Sequence, residues 1–397
     1  MPPKLADGSL DSLRALVQST TSLITQFENT LHAVALDKPL PPSESPSLHD
    51  AAASVDALSL AHDSASLIKA HTTKLSLLII NEPFTPSAIA TVLRELVAGP
   101  VPATAAAVQL CTADTYTAIV RQDLAWRCYR VLKELRALVQ AIPLDGSALP
   151  AHRKNGANGE KGSIVATGVI WAACDDLILL KKIGIAGLLV KKAEEYKDTL
   201  QDVLEELKEW SEEVEDEDDD DDDDGDEGED EDEQQTANGQ GDENMQHITN
   251  GVQNTHLSTQ QMIDDLMTSQ RIPRDDPDRI RERLDSCLKR LRLTTLLYSA
   301  IIQRRLKTLP PLTTGPLTSI ARRLDQVYPL LKSLPHRFGE VACAFYDLDT
   351  DAIDKAMDSC FFDAFAAAEM LKIPWTGTQD KFTDWVDKFQ VGIKKPD

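Results

Sequence analysis

The chain has 397 residues, 42% of them apolar but only 5% aromatic, with 18 glycines. That length allows two or three domains with cores large enough to need no covalent staple, and the shortage of aromatic and turn-forming residues argues against an all-β sandwich. The formal charge of −24 is concentrated: 212–233 holds 19 acids among 22 residues, and without it the balance is −5.

Before that acidic run, apolar residues recur at helical spacing. Leu10, Leu13, Leu16/Val17, Thr20, Leu23/Ile24, Phe27 and Leu31 predict a first amphipathic helix, stopped by Asp37-Lys38-Pro39. A second is expected over about 48–80. Thr85-Pro86 reads as an N-cap followed by proline in the first turn, opening a short helix that ends at Gly99-Pro100. One long Ala-rich helix is expected over about 103–141. After the loop 150–162 another should run from Ser163 to Glu213, bending around Lys181 to Gly184.

The run Asp218, Asp219, Asp220, Asp221, Asp222, Asp223, Asp224 repels itself and offers no apolar surface, so 212–257 reads as a disordered linker. Beyond it the pattern is helical again. A short helix should follow Ser258, and others are expected over about 276–306, 318–332, 335–346, 350–371 and 380–392. The expected architecture is all-α: two up-and-down helical bundles, 1–211 and 258–397, joined by the acidic linker 212–257.

Signals for chemistry are few. Cys111, Cys128, Cys174, Cys287, Cys343 and Cys360 form no C-x-x-C pair, so neither a disulfide framework nor a structural zinc is expected. Gly156 to Ser163 resembles a phosphate loop, but Gly162 follows Lys161 where Ser or Thr should stand, and no strand precedes it. Asp347, Asp349 and Asp351 alternate like calcium ligands, yet Ala352 replaces the required glycine, and capping of the next helix explains them more simply. The eight histidines show no ligand spacing. No catalytic residue, metal or cofactor is expected, and the chain reads as a non-enzyme.

Residues 271–307 carry eleven Lys/Arg against five acids. Arg279, Arg283, Lys289, Arg290 and Arg292 form a candidate basic helix face, open to two readings: a face shielded by the acidic run until a partner displaces it, or a solvated face with i,i+4 pairs. Direct nucleic-acid binding is not expected, because aromatics are scarce there and the acidic run competes. Asp218–Asp224 are the candidate contact for a basic partner such as a histone. Trp171 is expected in the core. Residues Met1 to Gly8 show no charged and apolar leader, and the apolar run from Ile164 to Cys174 stops at Asp175, short of the ~20 residues a bilayer requires. The expectation is therefore a reducing cytosolic or nuclear setting, without a membrane.

Val169-Ile-Trp171-Ala-Ala-Cys174, the following Ala186-Gly-Leu-Leu-Val-Lys-Lys-Ala-Glu-Glu-Tyr-Lys-Asp-Thr-Leu200, and His71-Thr-Thr-Lys-Leu-Ser-Leu-Leu-Ile-Ile80 resemble the cyclin-D-binding protein family, also called the Grap-adaptor and cyclin-D-interacting family. The resemblance implies talin- and vinculin-like bundles that shuttle between nucleus and cytoplasm, bind a D-type or other G1 cyclin, or a transcription factor, and so regulate cell-cycle progression. The acidic run is longer and richer in Asp than the family pattern. A bundle adaptor of the talin or vinculin kind and an acidic chaperone of basic nuclear proteins are the alternatives. The sequence leaves the oligomeric state open.

Overall fold

A computed structural model describes residues 7–38, 55–155, 162–212, 271–310, 318–377 and 379–394. The protein is all-α, built of helical bundles. The described residues form two compact units, one of Met1–Asp198, Thr294–Leu334 and Asp363–Asp397, the other of Thr199–Leu293 and Pro335–Phe362. This is a partition by packing rather than by chain order, and each unit draws on chain from both sides of the acidic run.

In the first unit, α1 (Asp7–Ala35) buries Leu13, Val17, Thr20, Ile24, Glu28 and Leu31, the three- and four-residue steps of one helix face. Glu28 can sit in that stripe because Arg136 holds it at 2.8 Å. The helix ends where Asp37 adopts φ 53°. Helix α2 (Ala57–Ile80) starts at Asp56, whose carboxylate accepts the Ser59 N–H at 2.8 Å and the Tyr116 hydroxyl at 2.7 Å. The predicted second helix begins earlier, at 48, and its first residues lie outside the described ones.

Helices α3 (Pro86–Ala98) and α4 (Pro100–Leu110) both open on proline, where the missing N–H costs nothing. Thr85 occupies the N-cap position as expected but caps no N–H, its hydroxyl donating to the Pro83 carbonyl instead. Small side chains let α4 pack against α1, α2, α3 and α6 at once.

The single helix expected over 103–141 is in fact three: α4, a turn α5 (Ala113–Tyr116), and α6 (Ala118–Gln140). The break falls in Cys111-Thr-Ala-Asp-Thr-Tyr-Thr117, where hydroxyls and a carboxylate compete for backbone hydrogen bonds. Thr117 takes φ 83°, and its hydroxyl caps Val120 N–H. Asp325 accepts the Ala118 N–H with both oxygens at 2.9 Å.

After the short α7 (Ala151–Asn155), α8 (Ser163–Glu212) is one long helix interrupted at Gly184, where φ 65° is a conformation glycine adopts without strain. The expected bend is there.

Helix α9 (Ile280–Ile301) is capped by Asp276, which accepts the N–H groups of Ile280 and Arg281, and it runs into a π-helical turn, Ile302–Leu306. Next, α10 (Thr318–Tyr346) replaces the two helices expected on either side of Pro335. Pro335 cannot donate to the Leu331 carbonyl one turn back. The buried Tyr298 hydroxyl donates to that carbonyl instead, at 2.5 Å, which offsets the hydrogen bond the proline cannot make.

Helix α11 (Thr350–Lys372) is capped by Asp349, which accepts the Ala352 N–H at 3.0 Å. Helix α12 (Lys381–Gly392) starts in a capping box made by Asp380 and Thr383. The second unit has an aromatic core in which Trp210 packs on Phe345 and Tyr346, and Phe338 on Phe361. The short helix expected after Ser258 lies outside the described residues.

Candidate protein-docking face

Two ties join α2 to the first half of α8. Lys69 donates to both oxygens of Asp175, at 2.6 and 2.7 Å, and Thr167 donates to Ser76 at 3.0 Å. Residue number rises along α2 as it falls along α8, so the pair is antiparallel. In such a pair, residues one step, or 100°, past the facing positions of both helices turn to the same side. That side carries Ala70, Lys74 and Leu77 on α2 and Gly168, Ala172 and Leu179 on α8, with Leu67, Ile164 and Trp171 flanking them.

Apart from Lys74, these side chains form an apolar surface with nothing over it among the described residues. Leu67 is 50% exposed, Leu77 52%, Ile164 50%, Trp171 38% and Leu179 41%. Isolated exposed leucines are ordinary, whereas five large apolar groups on one side of one helix pair make a candidate interaction surface. The core expectation for Trp171 is thus corrected. Ile170, Ala173, Cys174, Leu177 and Leu180 make the inward stripe, and Trp171 sits one step around the helix from Ile170.

The sequence signal was that Ile164 to Cys174 is apolar on every side. Such a helix is central to a bundle, membrane-spanning, or used for docking. Counted through Asp175 and Asp176, α8 does contain an 18-residue stretch long and apolar enough to cross a membrane, which the uninterrupted run had concealed. Asp175 is tied to Lys69, and Asp176 to Arg130 at 2.9 Å.

A smaller aromatic patch lies on α1 and α6. Trp126, 45% exposed, packs beside Tyr129 and His32, with centroids 5.5 and 6.4 Å away. An apolar seam between Leu189, Ala193 and Tyr196 on one side and Leu306, Leu324 and Tyr328 on the other is closed, the two tyrosine hydroxyls meeting at 2.6 Å.

The candidate basic face is dispersed. Arg279, Lys289 and Arg292 are exposed, whereas Arg283 pairs with Asp354 and Arg290 is buried over the Phe361 ring, 3.7 Å from its centroid. Burial lowers the Arg290 pKa. Arg305, from the same basic stretch, is 1% exposed and bonded to Asp380. Half of the apparent charge excess is therefore structural. Asp218–Asp224 and the phosphate-loop-like stretch 156–161 lie outside the described residues.

The cysteines are free thiols, all buried except Cys343. Burial pushes the thiols of Cys111, Cys174 and Cys287 up to about 12, so they hold almost no thiolate at neutral pH.

Residues 61–213 match the model of the family described as Grap2 and cyclin-D-interacting, N-terminal. An uncharacterized protein of Schizosaccharomyces pombe is 28% identical over 155 residues, 39% of this chain. The match spans 44% of that relative's own length. The stretches that carry the family resemblance lie inside 61–213, as does the whole exposed face.

Proposed function

We propose, from the premise that residues 61–213 belong to the Grap2 and cyclin-D-interacting family, that this protein is a non-enzymatic interaction factor that docks a cyclin-like partner on the α2/α8 face. The observation that carries the reading is the exposed row Leu67, Leu77, Ile164, Trp171 and Leu179, which lies within the family-matched stretch. Large aromatic and aliphatic groups that burial would desolvate supply most of the energy of such contacts. The partner is a D-type or other G1 cyclin or a transcription factor, the setting is the nucleus and cytoplasm, and the consequence is control of cell-cycle progression or transcription.

The test is co-precipitation from the native lysate with the intact chain, Trp171→Ala, and a version lacking 212–233. A G1 cyclin or transcription factor held by the intact and shortened chains and lost by Trp171→Ala supports the reading. The acidic run, with 19 acids in 22 residues, favours a second one, a chaperone of basic nuclear proteins. Histones held only by the intact chain and released by salt would favour that reading instead.

A further inference from the structure

We propose that the α2/α8 face takes one kind of occupant, an amphipathic helix of a partner whose apolar stripe is flanked by carboxylates. This rests on the docking-face reading above and adds the chemistry of what docks.

Shape points to a helix. The outward groups of α8 at 164, 168, 171/172, 175 and 179 recur in steps of three and four, and those of α2 at 67, 70, 74 and 77 do the same. Ridges at that spacing leave grooves that match the ridges of another helix, while a strand would present side chains at every second residue. Ile164 and Leu179 are about 22 Å apart along the axis, the length of a helix of about 15 residues. Ala70, Gly168 and Ala172 set small groups between the large ones, so a partner's leucines have hollows to enter.

Charge selects the flanks. Lys74 and Lys182 are exposed on this side, and neither is in an ion pair among the described residues. Both oxygens of Asp175 are taken by Lys69, while Asp63, one turn before Leu67, is exposed and keeps its charge, its carboxylate 2.9 Å from a His62 ring nitrogen. The approaching helix therefore meets two available cations, Lys74 and Lys182, against one carboxylate, Asp63, that no lysine or arginine among the described residues holds. A carboxylate-flanked stripe gains from them, and a lysine-flanked one is repelled.

The experiment uses the full chain and two fluorescein-labelled 18-residue helical peptides with the same leucine stripe, one flanked by Glu and one by Lys, read by anisotropy. The Glu peptide should bind about tenfold or more tightly than the Lys peptide, and rising salt should narrow the difference. Trp171→Ala should weaken it about tenfold, while Trp126→Ala, on the other aromatic patch, should leave it unchanged. The double variant Lys74→Glu with Lys182→Glu should reverse the preference, and far-UV circular dichroism of each variant shows that it is folded.

Equal affinity for the two peptides, binding of neither, or an unchanged preference in the double variant would overturn the inference. So would co-sedimentation of the chain with phosphatidylserine vesicles in a Trp171-dependent manner without peptide binding, because the face would then be a membrane surface. If peptide discrimination fails while Trp171→Ala still releases the cellular partner, only the acidic-helix inference is lost. If the partner stays bound to Trp171→Ala, the docking-face reading itself is wrong.

Discussion

Replacing Asp380 with Asn should loosen α12 by an amount that follows from the surroundings of Arg305. That guanidinium is 1% exposed and donates to the carbonyls of Leu371 at 2.6 Å, Lys372 at 2.7 Å and Arg304 at 3.0 Å, and to Asp380 at 2.7 and 3.1 Å. Stripping the partner from a buried pair costs about 3–5 kcal/mol. Here Asp380 is 36% exposed and three carbonyls remain, so screening and residual bonds reduce the cost to about 2 kcal/mol. Asn keeps the N-cap; Asp380→Ala loses the bonds to Phe382 and Thr383 N–H as well, adding about 1 kcal/mol. Hydrogen exchange of the α12 amides reads both, with exchange about 30-fold faster for Asn and faster still for Ala. The Arg305 guanidinium also holds the Asp380 carboxyl well below the usual carboxylate range. A depressed folded-state pKa gives stability that is present above the unfolded value near 4 and lost as pH falls toward the folded one. The difference between wild type and Asp380→Asn should accordingly be full at pH 6 and shrink as the pH drops below about 4. Exchange within twofold of wild type at pH 6, or an Asn variant as damaging as Ala, would refute the buried-cation argument.

Asp325 should behave with the opposite sign. Burial raises its carboxyl pKa, so its contribution is present at low pH and is lost as pH rises through the folded value. Asp325→Asn, which keeps an acceptor for Ala118 N–H, should be neutral or stabilising by up to about 1 kcal/mol at pH 7 in thermal melts. Tyr298→Phe should cost about 1–2 kcal/mol by leaving the Leu331 carbonyl buried without a donor. In a Pro335→Ala background the loss should be smaller, because the backbone N–H returns. Under native conditions a thiol reagent should modify Cys343 well before the five buried cysteines, and all six only in denaturant.

Much of the fold was readable because local signals agreed. Thr85-Pro86 and Gly99-Pro100 marked helix ends and Gly184 a bend through backbone geometry, and Asp380 marked a helix start through its own capping carboxylate. The failures came where a distant partner overrode the local rule. Pro335 reads as a helix stop, and only Tyr298, remote in sequence, makes it tolerable. The break at Thr117 was hidden by apolar periodicity on both sides, and beside the local Thr117 cap the Ala118 N–H finds its acceptor in the distant Asp325.

The candidate site was half visible. The Trp171 motif was recognised, but with Ile164 to Cys174 apolar on all sides, periodicity could not say which face was inward. Arg290 and Arg305 were counted as surface charge because sequence does not reveal Phe361 or Asp380 beside them.

The central claim is that α2 and α8 present the partner-binding face, and a hydrogen-exchange footprint of the full chain with a bound G1 cyclin tests it most directly. The account predicts slowed exchange in 66–78 and 164–180, absent when the Trp171→Ala variant is mixed with the same cyclin. Protection confined to 279–292, or to the Trp126 patch on α1 and α6, would contradict it.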